Sequence, residues 1–312
     1  MYKTDLTKTA AETKAVANEI IRLAKANPDV YAITADVAHS TDFELIRQAL
    51  PERFFNVGIA EQNAVAFSSG LAREGIKPYV AMFSSFASKR ALDFVFADVC
   101  YPSLPVTIVA THGGTSFGEA GPTHHALSDI TILRSMPNMT VVVPCDAKEA
   151  EKAIRASYGF GAPLYVRINR GDDYVITNDG SPFTIGKAEL LKDGSDISLI
   201  ACGSCVAESL LAADMLEKNG IKAKVINMHT IKPLDKDTVI SAAKTGIMIT
   251  VEDGRNTGLG GAVAEVLADN GLPCKLKRLG IDGICKVGAH KDVMRYYGID
   301  AKGIFETAEE LL

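Results

Sequence analysis

The chain is short of several things, and each shortage removes a class of function. No apolar stretch among its 312 residues approaches the roughly 18 that suggest a membrane span. The N-terminus, MYKTDLTKTAAETK, is polar and does not read as a secretion signal. Lys and Arg number 33 against 38 Asp and Glu, for a formal net charge of -5. No Lys/Arg-rich run could neutralise a row of phosphates, so neither nucleic acid nor a membrane is an expected partner. A GxxxxGK[ST] phosphate loop is missing, and GLGGAVAE (258–265) lacks the full dinucleotide fingerprint. Those glycines read as close packing of a helix on a sheet. There is no short repeat and no low-complexity tract. The six cysteines are scattered over the chain, as in a reducing, cytoplasmic setting where cysteine serves as a small hydrophobe. Cys202-Gly-Ser-Cys205 has redox spacing, yet it follows the strand DISLIA and opens a helix, so it reads as an ordinary turn.

What is present is an alternation. Short β-branched runs and amphipathic helical patterns follow one another along nearly the whole length, the signature of βαβ units and a mainly parallel sheet. The length predicts two domains. Residues 9–26 read as a helix, with Val16, Ile20, Leu23 and Ala24 on one face. VYAITAD, RFFNVG, KPYVAMF, PVTIVATH, MTVVVP and PLYVRI read as strands. RGDDYVITNDGSPFTIGKAELLKDGSD is rich in Gly, Asp and Asn and reads as a connector with a small hairpin. The alternation then restarts. The fold class expected is α/β, with two doubly wound domains at about 1–170 and 190–312 and a linker at 171–189.

In such sheets ligands bind beyond the carboxyl ends of the strands. Four strand-end segments of the first domain carry the candidate chemistry: Asp36 to Ser40, Glu61, Phe83 to Phe86, and His112 to His125. Glu61 reads two ways, as a carboxylate favoured by a helix N-terminus or as a functional acid. THGGTSFGEAGPTHHALSD concentrates three histidines and several glycines in one loop longer than a connection requires. Adjacent His124 and His125, without a further ligand at suitable spacing, make a poor metal site. Phe83 and Phe86 fit either core or a flat aromatic floor.

Taken together, RFFNVGIAEQNAVAFSSGLA, MFSSFASKRALD, GPTHHALSDI, RSMPNMTVVVPCDAKEAEKAI and LYVRINR identify a resemblance. Over essentially its full length the chain resembles the C-terminal half of transketolase, a pyrimidine-binding domain followed by the family's C-terminal domain. Deoxyxylulose-phosphate synthase and the β subunit of 2-oxo acid dehydrogenases share the GIAEQ-type helix start and are the nearest alternatives. A non-catalytic α/β scaffold is the reading from another class. The resemblance implies thiamine diphosphate as cofactor, with Glu61 bonded to the pyrimidine N1' and protonated through burial. It implies Phe83 and Phe86 lining the pyrimidine pocket, Asp36 near the thiazolium at a subunit contact, and His124 facing the reacting carbon. Ser40, His112 and Arg167 match positions that hold a substrate phosphate. It also implies transfer of a two-carbon ketol unit from a ketose (phosphate) to an aldose (phosphate).

Two departures stand out. The family's Glu-Asp-Gly-Pro-Thr-His is here Glu119-Ala120-Gly121-Pro122-Thr123-His124, which removes an aspartate that contacts a donor hydroxyl. The N-terminal phosphate-binding arginine has no counterpart, since Arg22 lies too far along the helix. Neither EDGRN nor NDGSP is followed by the asparagine ligands of the family's Mg²⁺ segment. No metal ligand is therefore assigned to this chain. The implied partner is an N-terminal-half transketolase subunit holding the diphosphate and Mg²⁺, most simply in an α2β2 assembly.

Overall fold

A computed structural model describes residues 6–312. In chain order the strands of the first part are β1 (Thr9–Ala11), β2 (Val30–Thr34), β3 (Phe54–Asn56), β4 (Lys77–Phe83), β5 (Thr107–Thr111), β6 (Thr140–Val142), β7 (Leu164–Arg167) and β8 (Asp172–Tyr174). The second part adds β9 (Glu189–Lys192), β10 (Ile197–Ala201), β11 (Ala223–Asn227), β12 (Thr230–Lys232), β13 (Ile247–Val251) and β14 (Lys275–Leu279). Two main sheets result, in the orders β12-β6-β7-β5-β4-β2-β3 and β14-β13-β10-β11-β9. Every pairing in them is parallel except those of β12 with β6 and β9 with β11. The architecture is thus the expected α/β one. Among the described residues, no helix is long and apolar enough to cross a membrane.

Helices cover both faces of the parallel sheets, so the strands are apolar along their whole length rather than alternating. Pro78 through Phe83 are buried without a break. The helix Glu12–Ala26 buries Val16, Ile20, Leu23 and Ala24 and packs against the helix Ala147–Ser157. Asp146 caps that second helix, accepting from the Glu149 amide at 2.7 Å, and also takes the Ile176 amide at 2.6 Å. One buried carboxylate therefore starts a helix and ties down the connector that follows β8.

The fold differs from the sequence expectation where partners lie far along the chain. Thr9–Ala11 do not begin the helix, because their backbone pairs antiparallel with Asp172–Tyr174. The connector forms no hairpin; its two strands pair with β1 and β11 instead. The pattern ALDFVFADVCY folds as a short helix, Leu92–Phe94, that widens into a π-helix over Val95–Cys100. Thr230–Lys232 crosses over from the second part to extend the first sheet beside β6.

Candidate active site

Because β2, β3, β4, β5 and β7 run parallel, their carboxyl ends share one side of the sheet. Past β3 the chain turns at Gly58, whose φ of 77° suits glycine, and enters the helix Glu61–Arg73. Glu61 is 3% exposed. Among the described residues its oxygens accept from one group only, the Arg90 Nη1, at 2.9 and 2.8 Å. Glu61 opens the helix, where its N-terminus favours a carboxylate, and among the described residues no backbone amide hydrogen-bonds its side chain. The Arg90 guanidinium also lies 4.4 Å over the Phe86 ring, a cation–π contact.

Phe83 ends β4, and Phe86 lies one turn into the short helix Ser84–Ala87. Their rings stack with centroids 5.7 Å apart and 22° between planes. Phe83 meets the His112 ring at 4.0 Å, and Phe86 meets His124 edge-on at 5.4 Å. Phe117 stands between the two histidines, at 5.1 Å from His112 and 5.9 Å from His124. The Arg170 guanidinium covers Phe117 at 4.5 Å. Glu61, Phe83, Phe86, His112 and His124 thus form one cluster. A groove of about 660 Å³ between the helices Glu12–Ala26 and Ala147–Ser157 lies elsewhere and holds none of them.

His112 has a φ of 60° and is buried. Burial first, then the charges of Arg170 and His124, pull its pKa down to about 3. The ring is therefore a neutral hydrogen-bonding group near neutral pH, with Nδ1 2.8 Å from the Thr111 hydroxyl. Unfolded, the ring binds a proton near its ordinary value of 6.5, and folded only near 3. Between these values the unfolded chain holds more protons, so this contribution to stability is lost as pH falls. Urea melts at a series of pH values should show wild type losing ground to His112→Asn between about 6.5 and about 3. Parallel curves for the two proteins would contradict this.

The remaining expected residues lie outside the aromatic cluster. Asp36 is exposed, at a φ of 60°, and its backbone and side chain both bond Asn56, at 3.0 and 2.8 Å. Ser40 is exposed in the same loop. The structure shows no contact of either with the aromatic cluster. Arg167, expected to grip a phosphate, is 2% exposed and turned into the protein. Its Nε lies 3.2 Å from the Asp129 Oδ2, close enough for an ion pair though not aligned as a hydrogen bond, and its Nη2 donates to the Asp253 carbonyl at 2.6 Å. The arginine at the cluster is Arg170, just past β7 in the segment Ile168-Asn169-Arg170.

His125 is folded back on its own loop, Nε2 2.9 Å from the Gly118 carbonyl. Among the described residues no three His, Cys, Asp or Glu side chains are placed to hold a metal. Cys202 and Cys205 are free, buried thiols whose pKa values burial pushes well up, the opposite of an activated pair. At the start of the helix Leu259–Asp269, the Glu252 carboxylate accepts the amides of Leu259 and Gly260 at 2.9 and 2.8 Å. A Cβ on Gly260 would meet the Thr250 hydroxyl at 2.8 Å. The glycines of GLGGAVAE therefore serve packing, and the chain's own acid fills the helix end.

The second part holds the site loop. Asp253 accepts from the Thr115 amide and hydroxyl, both at 2.9 Å, and the same hydroxyl lies 2.9 Å from His290 Nδ1. A Cβ at Gly118 would fall 2.3 Å from the Gly288 carbonyl oxygen, so only glycine fits this contact.

Comparison with known proteins identifies the family. Residues 8–173 match the transketolase pyrimidine-binding domain, and residues 186–304 match the transketolase C-terminal domain. A protein of Methanocaldococcus jannaschii described as a transketolase C-terminal section is 41% identical, the match covering 93% of each chain. A 1-deoxy-D-xylulose-5-phosphate synthase of Syntrophus aciditrophicus is 39% identical over 96% of this chain, which spans only 47% of that protein. A solved split-gene transketolase, described as an inactive β4 tetramer, superposes with a TM-score of 0.87 at 32% identity, covering 96% of this chain and 97% of that one. The chain belongs to the transketolase family.

Proposed function

We propose that this chain is the small subunit of a thiamine-diphosphate-dependent transketolase, active only with a partner that carries the diphosphate- and Mg²⁺-binding half. The observation that carries the reading is the cluster at the strand ends: a buried acid beside a stacked pair of phenylalanines, with two histidines opposite. These residues fit the aminopyrimidine end of the cofactor. Glu61 offers carboxylate oxygens held, among the described residues, by a half-exposed arginine alone, and Phe83 and Phe86 offer a flat surface to a ring. When bound, the cofactor supplies the nucleophilic carbon and the electron sink.

The chain's own residues do the rest. Glu61 would hydrogen-bond the pyrimidine N1', and Phe83 and Phe86 would hold the plane of the ring. His112, neutral, exchanges hydrogen bonds with sugar oxygens. His124 stands over Phe86, where it can move a proton at the reacting carbonyl. Arg170, held on the face of Phe117, supplies the cation for an anionic substrate end in place of Arg167. Ile59, Phe96 and Tyr101 are exposed near the start of the Glu61 helix and the π-helix packed on it, which suits a subunit contact. Asp36 and Ser40, exposed beside β3, would then meet cofactor and substrate at that contact. The setting is the cytoplasm and the reaction belongs to sugar-phosphate interconversion.

One second reading has a specific observation behind it, the 39% identity to a deoxyxylulose-phosphate synthase of about twice the length. The two readings separate in one experiment: purification of the chain with its partner, followed by assay of ketose donors, aldose acceptors and pyruvate. Two-carbon transfer without CO₂ release is the expected result, with no turnover by the chain alone. CO₂ from pyruvate would favour the synthase, and activity of the chain alone would overturn the partner requirement. In the same assay Ala120→Asp should sharpen discrimination between donor configurations by about tenfold, the worth of one good hydrogen bond. An unchanged donor preference would remove Ala120 from the specificity argument.

A further inference from the structure

The reading above uses Phe117 only as a rest for Arg170, yet the ring stands where a substrate has to pass. It meets His112 edge-on at 5.1 Å and His124 edge-on at 5.9 Å, with 71° and 86° between planes. Its own face carries the Arg170 guanidinium at 4.5 Å. The Arg170 backbone amide donates to the Ser116 hydroxyl at 3.1 Å, but among the described residues the guanidinium makes no hydrogen bond or ion pair. The ring is thus the support of that cation.

The loop that bears Phe117 has little room to withdraw. Two positions before it, the Thr115 amide and hydroxyl are both bonded to Asp253 at 2.9 Å. One position after it, Gly118 packs so closely that a Cβ would fall 2.3 Å from the Gly288 carbonyl oxygen. A side chain on a loop pinned from both sides acts as a fixed wall. In the proposed reaction His124 stands at the reacting carbonyl, His112 at sugar oxygens and Arg170 at the anionic end. A chain spanning these three groups runs along the rim of Phe117. Ala120, three positions on, adds a methyl group where an acid is expected, so this stretch of loop offers packing rather than hydroxyl recognition.

We propose that Phe117 is a specificity-determining residue that limits the length of the sugar-phosphate chain, favouring three- and four-carbon substrates over five-carbon ones. This rests on the proposed function and deepens it by naming the substrate class, short-chain sugar phosphates. Two effects act in the same direction. The ring fills room that a longer chain needs, and it holds Arg170 one ring's width from both histidines, within reach of a short chain's phosphate. A misfit of one carbon in a fixed pocket is worth about 10–200-fold.

Alditol phosphates have the chain and the phosphate but no carbonyl, so they bind without reacting. Calorimetric titration of the two-chain enzyme, loaded with thiamine diphosphate and Mg²⁺, gives Kd for the three-, four- and five-carbon members. Wild type should bind the four-carbon member about tenfold or more tighter than the five-carbon one. Phe117→Ala should erase that preference, weakening the short ligand and tightening the long one. Phe117→Trp keeps a face for Arg170 and narrows the passage, so the preference should grow about threefold or more. A ring that served only the fold would not move the ratio in opposite directions in these two variants. In turnover the same order should appear in KM for the matching aldose phosphates more than in kcat.

Where the alanine chain does not fold, Phe117→Leu carries the test, since it removes the aromatic face and part of the bulk. Equal binding of the four- and five-carbon members by wild type would overturn the inference. So would binding of none of the three, or a ratio unchanged in the variants. A two-chain enzyme that moves no two-carbon unit from any ketose would instead overturn the proposed function.

Discussion

Glu61→Gln should lower kcat of the two-chain enzyme by about 10²–10⁴-fold, the range for removing a positioned acid–base group. Glutamine keeps the length of the side chain and can still accept one hydrogen bond from Arg90. It cannot hold a shared proton at N1'. Glu61 is set back from the histidines that would meet the sugar, so the loss should appear in kcat rather than in sugar KM. The fold should tolerate the change. The Arg90 side chain left behind is 42% exposed and can turn to water, so no charge is stranded in the core. Steady-state kinetics beside a thermal melt separates the two effects. A variant that retains more than about a tenth of wild-type turnover would remove Glu61 from the chemistry.

The largest loss of stability is expected at the arginine assigned to substrate by resemblance. Arg167→Met leaves Asp129 at 0% exposure without its cation, and removing one partner of a buried pair costs about 3–5 kcal/mol. Burial works against the Arg167 charge, and Asp129 and Asp253 more than offset it, so its pKa lies above the ordinary value. Burial pushes the Asp129 carboxyl up, with Arg167 pulling it down. Removing Arg167 takes away that pull. A carboxyl whose folded pKa is raised binds more protons folded than unfolded, so stability falls as pH rises. The variant should accordingly lose more to wild type in neutral solution than in mildly acidic solution. The double variant Arg167→Met/Asp129→Asn should regain part of the loss, since Tyr165 can still bond the amide where it now bonds the acid at 2.8 Å. Denaturant melts of the single and double variants at two pH values test this. A single variant within about 1 kcal/mol of wild type would show that the pair is not a buried charge couple.

The two arginines show how far the site was legible. The argument that ligands lie beyond strand ends drew attention to Asp36 to Ser40 as well as Glu61, Phe83, Phe86, His112 and His124, and the structure clusters the last five while Asp36 and Ser40 are exposed. The same argument applied to LYVRINR leads past the strand to Arg170, whereas Arg167 is the last residue inside it, where a side chain points into a covered face. Resemblance chose the inner arginine, which is buried and donates to the Asp253 carbonyl. Arg90 was out of reach for another reason. It lies 29 positions from Glu61, and no local pattern predicts an ion pair between two strand-end segments. Phe117 sits in a loop whose path depends on Thr115 bonding Asp253, 138 positions away. Periodicity records which face of an element is covered, but not which distant element covers it.

That limit is clearest in the three residues Thr230–Lys232. By family domain they belong to the second part, and by hydrogen bonding to the first sheet, where they close the edge of β6. Thr140, Val141 and Val142 are buried. Cut between its two family domains, the chain would expose that edge as an open template for any other strand, in the way aggregating proteins do. The two domains are therefore expected to keep that edge covered only when they stay together in one chain.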